Sequence, residues 1–287
     1  MDDWTPVITA DGSLTLASGQ VGEACHSRAG AWTEALERYA RPARLRQRAR
    51  SAELTRVHLL DVGTGLGWNL AAALSELRGT GAFLDVLSLE RDRSVIESTL
   101  SLVRENRLAP PVSAMEHAPV SWALARALAD PQRAASVGVP LGARGRLRVL
   151  LGDARVTLAA SDPARRFDAV FLDPFSPRAD PDLWQCDFLS QVARRMAPGS
   201  LLTTYCAAFD VRVRLVALGL SVGRGGRVGT KAEGTLASPD RSLPPLSPRL
   251  VRRLVRAAAE LARSGGRAGW EGGPKSPRAG VSGPSMT

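Results

Sequence analysis

The chain has 287 residues, of which 44% are hydrophobic, enough for one large domain or one domain with an appendage. This composition excludes a mostly disordered chain. No stretch approaches the ~18 consecutive apolar residues of a membrane span, and two acids follow the first methionine, so we expect a cytoplasmic protein without anchor or targeting peptide. Cys25, Cys186 and Cys206 have no metal-ligand spacing, so we expect no metal site and no disulfide framework.

The charge balance is basic. Lysine and arginine number 38 against 28 acids, which gives a formal net charge of +10. From Pro239 to the end, nine basic residues face three acids, so +6 of this charge lies there and +4 in residues 1–238. Such charge suits RNA, because neutralised phosphates release counterions. A solvated basic tail is the alternative, and charge alone leaves both open.

Short apolar runs alternate with helical patterns along the chain. A strand over 57–62 precedes a helix from Asn69, and a strand over 84–89 precedes a helix over 93–105. Further strands are predicted over 147–151, 169–172 and 201–205, with a helix between the last two, and a closing antiparallel hairpin over 220–224 and 231–237. The alternation predicts an α/β, Rossmann-like fold with a doubly wound, mostly parallel sheet.

Other segments flank or interrupt this core. Residues 1–50 form an N-terminal extension, and the core domain spans 51–238 with a largely helical insertion at about 107–146, long for a loop. Within 239–263, a serine–proline pair and apolar residues at helical spacing predict a basic amphipathic helix. We favour its packing on the body with a solvated arginine face over an RNA or membrane contact. Residues 264–287, rich in glycine, serine and proline, are predicted to be disordered.

The clearest local motif is LLDVGTGLGWN, residues 59–69. A predicted strand reaches Asp61 and continues into Gly63, Gly65 and Gly67 before the next helix. Glycines there allow tight turning and a close approach of the backbone to a ligand. The dinucleotide fingerprint is GxGxxG, whereas this loop is GxGxG with an acid two residues before it. The loop resembles the S-adenosylmethionine loop of class I methyltransferases.

Acids also end the next two predicted strands. Glu90 follows the second, where it would accept the ribose hydroxyls of a cofactor, and Asp153-Ala154 follow the third, where they would meet the adenine. Because the carboxyl ends of parallel strands share one crevice, Asp61, Glu90 and Asp153 are expected to converge there. Each of these acids taken alone is more often a helix cap or a turn residue. An NAD-dependent oxidoreductase is disfavoured, since GxGxxG and a catalytic Tyr/Lys or Cys pair are missing.

The fourth strand runs into FDAVFLDPFSP, residues 167–177. Its Asp173-Pro174-Phe175 resembles the DPPY-like element of amine methyltransferases. Methylation of an amine needs its lone pair aimed at the methyl group and its N–H bonds accepted nearby. The Asp173 carboxylate and the Pro174 carbonyl are suited to accept them, and Phe175 to stack on a base. The alternative is that Asp173 caps the following turn.

Longer segments, over about residues 5–238, resemble the MnmC-like methyltransferases. This family includes the methyltransferase half of the bacterial bifunctional enzyme that completes 5-methylaminomethyl-2-thiouridine at the tRNA wobble position. The most specific stretch is DAVFLDPFSPRADPDLW at 168–184, which matches the family pattern except at Asp180, where asparagine is usual. The segment from Gly22 to Glu34 resembles the family's GExYHSxxGAxxEA element, with Cys25 in place of its tyrosine. That element resembles a lid over the cofactor.

The resemblance implies an N-methyltransferase that uses S-adenosylmethionine, without metal or FAD, and acts on 5-aminomethyl-2-thiouridine in tRNA. It implies catalytic roles for Asp173 and Pro174. The residues expected to bind the cofactor are Asp61, Gly63, Gly65, Gly67, Glu90, Asp153, Ala154, His26 and Glu34, and those expected to bind the acceptor are Phe175, Trp184 and Lys231. The segment around Lys231 lacks the family's aromatic and arginine. A small-molecule or protein amine therefore stays open as acceptor, as does a non-catalytic RNA-binding role.

Overall fold

The computed structural model describes residues 3–108, 111–229 and 233–264. The strands of this part of the chain are β1 Trp4–Ile8, β2 Leu14–Ser18, β3 Arg56–Val62, β4 Phe83–Glu90, β5 Val139–Pro140, β6 Gly145–Leu151, β7 Phe167–Leu172, β8 Met196–Thr204, β9 Ser221–Arg224 and β10 Thr235–Ser238. β1 and β2 form an antiparallel ribbon, and the other strands form one sheet in the order β5-β6-β4-β3-β7-β8-β10-β9. β6, β4, β3, β7 and β8 run parallel, whereas β10 is antiparallel to both β8 and β9. The predicted α/β fold with a mostly parallel sheet and a closing hairpin is confirmed.

The helices lie on both faces of this sheet and at its ends. They are α1 Ala31–Glu34, α2 Leu45–Arg50, α3 Trp68–Leu77, α4 Arg93–Arg104, α5 Pro111–Ala129, α6 Pro131–Ser136, α7 Ala154–Ala160, α8 Cys186–Arg194, α9 Phe209–Ala217 and α10 Pro248–Arg263. A π-helical segment, Ala35–Ala40, follows α1, and a 3-10 turn, Pro181–Trp184, precedes α8. Both α5 and α6 lie within the segment 107–146.

Strand β3 illustrates why the central strands are nearly continuous apolar runs. Val57 and Leu59 are fully buried in the core on one face of the sheet, and Leu60 and Val62 in the core on the other. A parallel sheet covered by helices on both faces requires this pattern. Burial of each such side chain contributes roughly 1.5–3 kcal/mol to the stability of the folded state, which favours a central, doubly covered position for β3.

The N-terminal ribbon packs against the core near the carboxyl ends of the central strands. The Trp68 indole N–H, in α3, donates to the Leu14 carbonyl at 3.0 Å, and the Trp4 indole N–H donates to the Ser94 hydroxyl at 2.8 Å. Ser94 lies in the first turn of α4, which begins after the cap Asp92. These contacts hold residues from the extension over that edge of the sheet.

Helix α10 begins where the sequence predicts, with Ser247 as its cap and Pro248 in its first turn. The Ser247 hydroxyl accepts a hydrogen bond from the Leu250 amide at 3.3 Å. Leu254 and Ala258 are buried in an apolar cluster with Val213 of α9. The helix is therefore packed on the body.

Two predicted structural segments fall partly outside the described residues. The first is the second hairpin strand, predicted from residue 231: the described residues resume at 233, and β10 begins at Thr235. The second is the disorder predicted for residues 264–287, of which only residue 264 is described. Among the residues that are described, no helix is both long enough and apolar enough to span a membrane.

Candidate active site

A cavity of about 980 Å³ opens at the carboxyl ends of β3, β4, β6 and β7, beneath residues of the N-terminal extension. The side chains and loops that end these strands form its floor. Of the predicted site residues, its wall contains Gly63, Gly65, Glu90, Asp153, Ala154, Asp173, Pro174, Phe175, His26 and Glu34. The crevice expected from the strand-end acids is therefore present, with two of the three acids in its wall.

The three loop glycines meet three different requirements. Gly63 has φ +89°, and a Cβ there would lie 2.5 Å from the Asp173 carbonyl oxygen. A Cβ at Gly67 would lie 2.7 Å from Val120 Cγ1 of α5, so this glycine allows close packing of the insertion. At Gly65, with φ +50°, a Cβ would meet only open space. Gly65 is therefore the position where the backbone is open to a ligand.

Asp61 lies behind this loop rather than in the cavity wall. Its carboxylate is completely buried and accepts a hydrogen bond from the Ser88 hydroxyl at 2.6 Å, and the Thr64 hydroxyl lies 2.6 Å from that of Ser88. Asp61 Oδ1 has no hydrogen-bond partner among the described residues. Burial raises the pKa of Asp61 to about 7. Asp61 is therefore linked to the loop through Ser88 and Thr64, and its contact with a cofactor stays a prediction.

Glu90 and Asp153 project from adjacent strand ends. Glu90 accepts backbone hydrogen bonds from Gly65 at 2.8 Å and Asp92 at 2.9 Å, and burial raises its pKa. Asp153 caps α7 by accepting from the Arg155 amide at 2.9 Å and pairs with the Arg155 guanidinium at 2.6 Å, which lowers the pKa of the carboxyl. Asp153 therefore combines a cap with a place in the cavity wall.

Asp173 lies in the cavity wall and is held by hydrogen bonds from two sides. Tyr39 donates its hydroxyl proton to Oδ1, and the Asn69 side-chain amide donates to Oδ2 at 2.8 Å. Burial, followed by the nearby Glu34 carboxylate, raises the pKa of Asp173 well above its usual range. A carboxylate fixed from two sides in a ligand cavity is suited to accept a proton or an N–H bond.

Sequence reasoning missed the two residues that orient Asp173. Asn69 is the second residue of α3, and Tyr39 lies in the π-helical segment. π-Helical turns often mark functional sites, but the sequence around Tyr39 does not distinguish one from an ordinary helix. The partnership joins residues 134 and 104 positions apart, so only the fold could reveal it.

The residues around Pro174 and Phe175 fix the backbone after Asp173. The Tyr205 hydroxyl, which the sequence did not single out, donates to the Pro174 carbonyl at 3.1 Å. The Trp184 indole N–H donates to the Phe175 carbonyl at 2.8 Å, and Trp184 is buried. Trp184 is absent from the described cavity wall and lies behind Phe175, so its contact with an acceptor stays a prediction. The Phe175 ring is nearly parallel to that of Trp4, with centroids 6.4 Å apart.

The N-terminal extension covers the cavity through several polar contacts. Glu23 accepts from the Ser176 amide at 3.0 Å and from the Ser176 hydroxyl at 2.5 Å. Glu34 accepts from the Ser27 amide and pairs with Arg38 at 3.1 Å. His26 is buried, which lowers its pKa to about 4, so the ring is neutral near pH 7. Lys231, predicted at the acceptor side, lies outside the described residues.

The comparisons with known proteins agree with this geometry. Residues 123–240 match a family model described as S-adenosyl-L-methionine-dependent methyltransferase. The crystal structure of MNMC2 from Aquifex aeolicus superposes with a TM-score of 0.73 at 34% identity, over 89% of this chain and 76% of that one. The chain belongs to the MnmC-like family of S-adenosylmethionine-dependent methyltransferases. The resemblance stated from the sequence is thereby confirmed.

Two curated relatives of this MnmC-like chain are longer than it is. An uncharacterized protein of Methanocaldococcus jannaschii is 28% identical over 240 residues, which is 83% of this chain and 60% of the relative. The tRNA 5-methylaminomethyl-2-thiouridine biosynthesis bifunctional protein MnmC of Pseudomonas aeruginosa is 34% identical over 183 residues, 62% of this chain and 26% of the relative. The chain thus spans less than two thirds of the length of either protein.

The cavity residues of this MnmC-like methyltransferase fit S-adenosylmethionine. The volume lies within the range of pockets that bury small ligands. The backbone at Gly65 faces open space, and the Glu90 carboxylate beside it can accept hydroxyl hydrogen bonds. Among the described residues, no group of three or more His, Cys, Asp or Glu is placed to hold a metal ion.

Proposed function

We propose that this methyltransferase acts on an amine, and that its acceptor is the aminomethyl group of 5-aminomethyl-2-thiouridine in tRNA. The observation that carries the proposal is the position of Asp173 in the cavity wall, next to the Gly63 turn and oriented by Tyr39 and Asn69. The name of the bifunctional MnmC relative supports the choice of acceptor.

The glycine loop and Glu90 hold the methyl donor in this proposal. When bound, S-adenosylmethionine supplies an electrophilic methyl group on a sulfonium. Gly65 leaves open space beside the loop, where the donor would lie, and Glu90 would accept its ribose hydroxyls, while Asp153 and Ala154 in the cavity wall would contact its adenine. Such contacts would hold the methyl group relative to Asp173, and much of the catalysis would then come from proximity and orientation.

Asp173 acts as the general base that deprotonates the amine. An alkyl ammonium has no free lone pair, so the group must lose a proton before it can attack. The raised pKa of Asp173 makes its carboxylate a stronger base than an exposed aspartate, while Tyr39 and Asn69 fix the direction of its oxygens. During transfer a C–N bond would form as the methyl–sulfur bond breaks, so the positive charge would pass from the sulfonium to the methylated amine, while Asp173 would hold the proton that the amine lost beforehand.

Phe175 and the Pro174 carbonyl lie where the acceptor would enter. Tyr205 already donates to this carbonyl, whose second lone pair can still accept an amine N–H. The Phe175 ring, held by Trp184 through its backbone carbonyl, offers a flat surface for a nucleobase. We therefore assign Phe175 to the base, Pro174 to orientation of the amine and Asp173 to catalysis.

The test is methyl transfer from labelled S-adenosylmethionine to tRNA that carries 5-aminomethyl-2-thiouridine, followed by nucleoside mass spectrometry. We expect the 5-methylaminomethyl nucleoside with the unmutated protein. Asp173→Asn should reduce kcat about 10²- to 10⁴-fold, the usual contribution of a general base, while calorimetry shows donor binding retained. Asp187→Asn makes the same chemical change on the exposed face of α8 and should leave kcat unchanged.

Two results would contradict the proposal in different ways. Donor binding without tRNA product would move the acceptor to a small-molecule or protein amine. Binding of tRNA with no transfer to any amine would favour a non-catalytic RNA-binding role. Full activity in Asp173→Asn would remove Asp173 from catalysis even if the product forms.

A further inference from the structure

Helix α10 carries a face of arginines that the cavity does not use. Four exposed arginines fall within about 60° of one another around the helix axis, at 100° per residue. They are called the arginine face here and comprise Arg249, Arg252, Arg256 and Arg263. We propose that the arginine face binds the phosphate backbone of the tRNA acceptor beside the active site. This inference rests on the proposed function, and it goes further by assigning an RNA-binding surface.

The opposite face of α10 is already occupied. Leu254 and Ala258 are buried against the body, and Leu250 and Leu261 pack beside them. A helix that binds a membrane surface needs its apolar face free, usually with Trp, Phe or Leu on it. Of the larger hydrophobic residues of α10, Val251 and Val255 are left exposed, at 41% and 55%. What the helix presents to a partner is therefore mainly positive charge, which fits a polyanion better than a lipid bilayer.

The charge of the arginine face is largely uncompensated. Arg256 pairs with Glu260 at 3.0 Å, and Glu260 is the one acid in the sequence of α10 against five arginines. Among the described residues, no acid lies within 4 Å of the guanidinium nitrogens of Arg249, Arg252 or Arg263. Guanidinium groups bind phosphates through paired N–H donors, so the face matches the chemistry of an RNA backbone.

The position of α10 places this charge near the cavity. The Arg253 guanidinium lies 4.9 Å from the centre of the Phe209 ring, at the start of α9. Phe209 follows Tyr205 by four residues, and Tyr205 lines the cavity. Four residues of chain span at most about 14 Å, so Phe209, which α10 contacts through Arg253, lies within about 14 Å of a residue of the cavity wall. An RNA whose modified base enters the cavity would have neighbouring phosphates within reach of α10.

The experiment measures the tRNA affinity of the full chain as a function of salt. The variant is Arg249→Gln/Arg252→Gln/Arg256→Gln, because glutamine keeps the helix propensity and removes only charge. We expect its Kd for tRNA to rise about ten- to hundredfold near 100 mM salt. The slope of log Kd against log salt should fall by about 2, since each phosphate contact contributes about 0.7–0.9. The affinity for S-adenosylmethionine and kcat at saturating tRNA should be unchanged.

Two controls separate position from net charge and from folding. Arg50→Gln/Arg104→Gln/Arg133→Gln removes the same charge from exposed sites on α2, α4 and α6, and should leave Kd within about threefold of the unmutated protein. The lysine triple, Arg249→Lys/Arg252→Lys/Arg256→Lys, keeps the charge and should recover most of the affinity.

The outcomes distinguish this inference from the proposed function. If the unmutated protein methylates tRNA but the glutamine triple has the same Kd and salt slope, the RNA surface is wrong and the proposed function stands. If tRNA binds through α10 but is not methylated, the proposed acceptor is wrong and the surface stands. If the triple instead loses binding to phosphatidylglycerol vesicles while its tRNA affinity is unchanged, α10 is a membrane contact and the inference is overturned.

Discussion

Asp61 is an acid whose burial makes the stability of the protein depend on pH. The unfolded chain would ionise it near pH 4, whereas the folded protein raises its pKa to about 7. Its contribution to the free energy of unfolding is fully present below about pH 4. The contribution is lost as the pH rises toward 7, because the unfolded state then releases a proton that the folded state retains.

Asp61→Asn should therefore stabilise the protein at neutral pH. Asparagine has nearly the shape of the protonated acid and does not ionise. The difference in the free energy of unfolding between variant and unmutated protein should grow by roughly 3–4 kcal/mol between pH 4 and pH 7.5. Urea unfolding at the two pH values measures it, with the exposed Asp162→Asn as the control expected to show little change.

A constant difference across this range would show that Asp61 is ionised in the folded state. Calorimetric titration of Asp61→Asn with S-adenosylmethionine tests whether Asp61 also contributes to donor affinity. Asp61 lies behind the loop, with Ser88 between it and Thr64, so donor affinity should change by less than about threefold. A large loss of affinity would support the direct cofactor contact that the sequence predicts for Asp61.

At the scale of elements, helix α5 contacts the glycine loop, residues 63–67, through His117. His117 Nε2 lies 2.6 Å from the Leu66 carbonyl, which can only accept, so Nε2 carries the proton. Nδ1 lies 2.8 Å from the Ser121 hydroxyl, and the ring lies edge-on to Trp68 at 4.7 Å. Burial lowers the pKa of His117 to about 4, so the imidazole is neutral near pH 7. The insertion thus holds the loop between Gly65 and Gly67 from behind.

His117→Phe should weaken donor binding without changing the chemical step. Phenylalanine keeps a flat ring but leaves the buried Leu66 carbonyl without its donor, a loss of about 1–3 kcal/mol. We expect KM for S-adenosylmethionine to rise about tenfold, with kcat and KM for the acceptor within about twofold. Ser121→Ala, which removes only the partner of Nδ1, should have a smaller effect. A fall in kcat with an unchanged donor KM would place the role of His117 elsewhere.

The central strands and the glycine loop could be predicted because they depend on local sequence. Apolar runs such as 57–62 are typical of the buried strands of a parallel sheet. Residues that follow such strands lie at the same edge of the sheet, because the carboxyl ends of parallel strands point the same way. The orientation of Asp173 by Tyr39 and Asn69 could not be predicted, since it depends on contacts over more than 100 residues. The same reason applies to Trp184, because its burial and its hydrogen bond to the Phe175 carbonyl become visible only in the fold.

At the scale of the whole molecule, the N-terminal extension covers part of the cavity at the carboxyl ends of the sheet strands. Trp4 spans the opening, hydrogen-bonded to Ser94 of α4 and nearly parallel to Phe175 after β7. Glu23 joins the extension to Ser176 on the same side. A ligand under this cover requires the cover to move, so we expect residues 3–30 to limit exchange of the cofactor.

Glu23→Gln should therefore speed the release of the cofactor product. Glutamine keeps the shape of the side chain but loses the charge. Its NH2 group would face either the amide or the hydroxyl of Ser176, both of which donate to Glu23. Hydrogen bonds to a charged group contribute about 1.5–3 kcal/mol, so release of S-adenosylhomocysteine should accelerate about tenfold or more. Stopped-flow tryptophan fluorescence can follow this, because Trp4 lines the cavity. The control is Glu97→Gln, which removes an exposed ion pair with Arg93 and should leave the release rate unchanged. If Glu23→Gln also left the rate unchanged, the cofactor product would leave without movement of the extension.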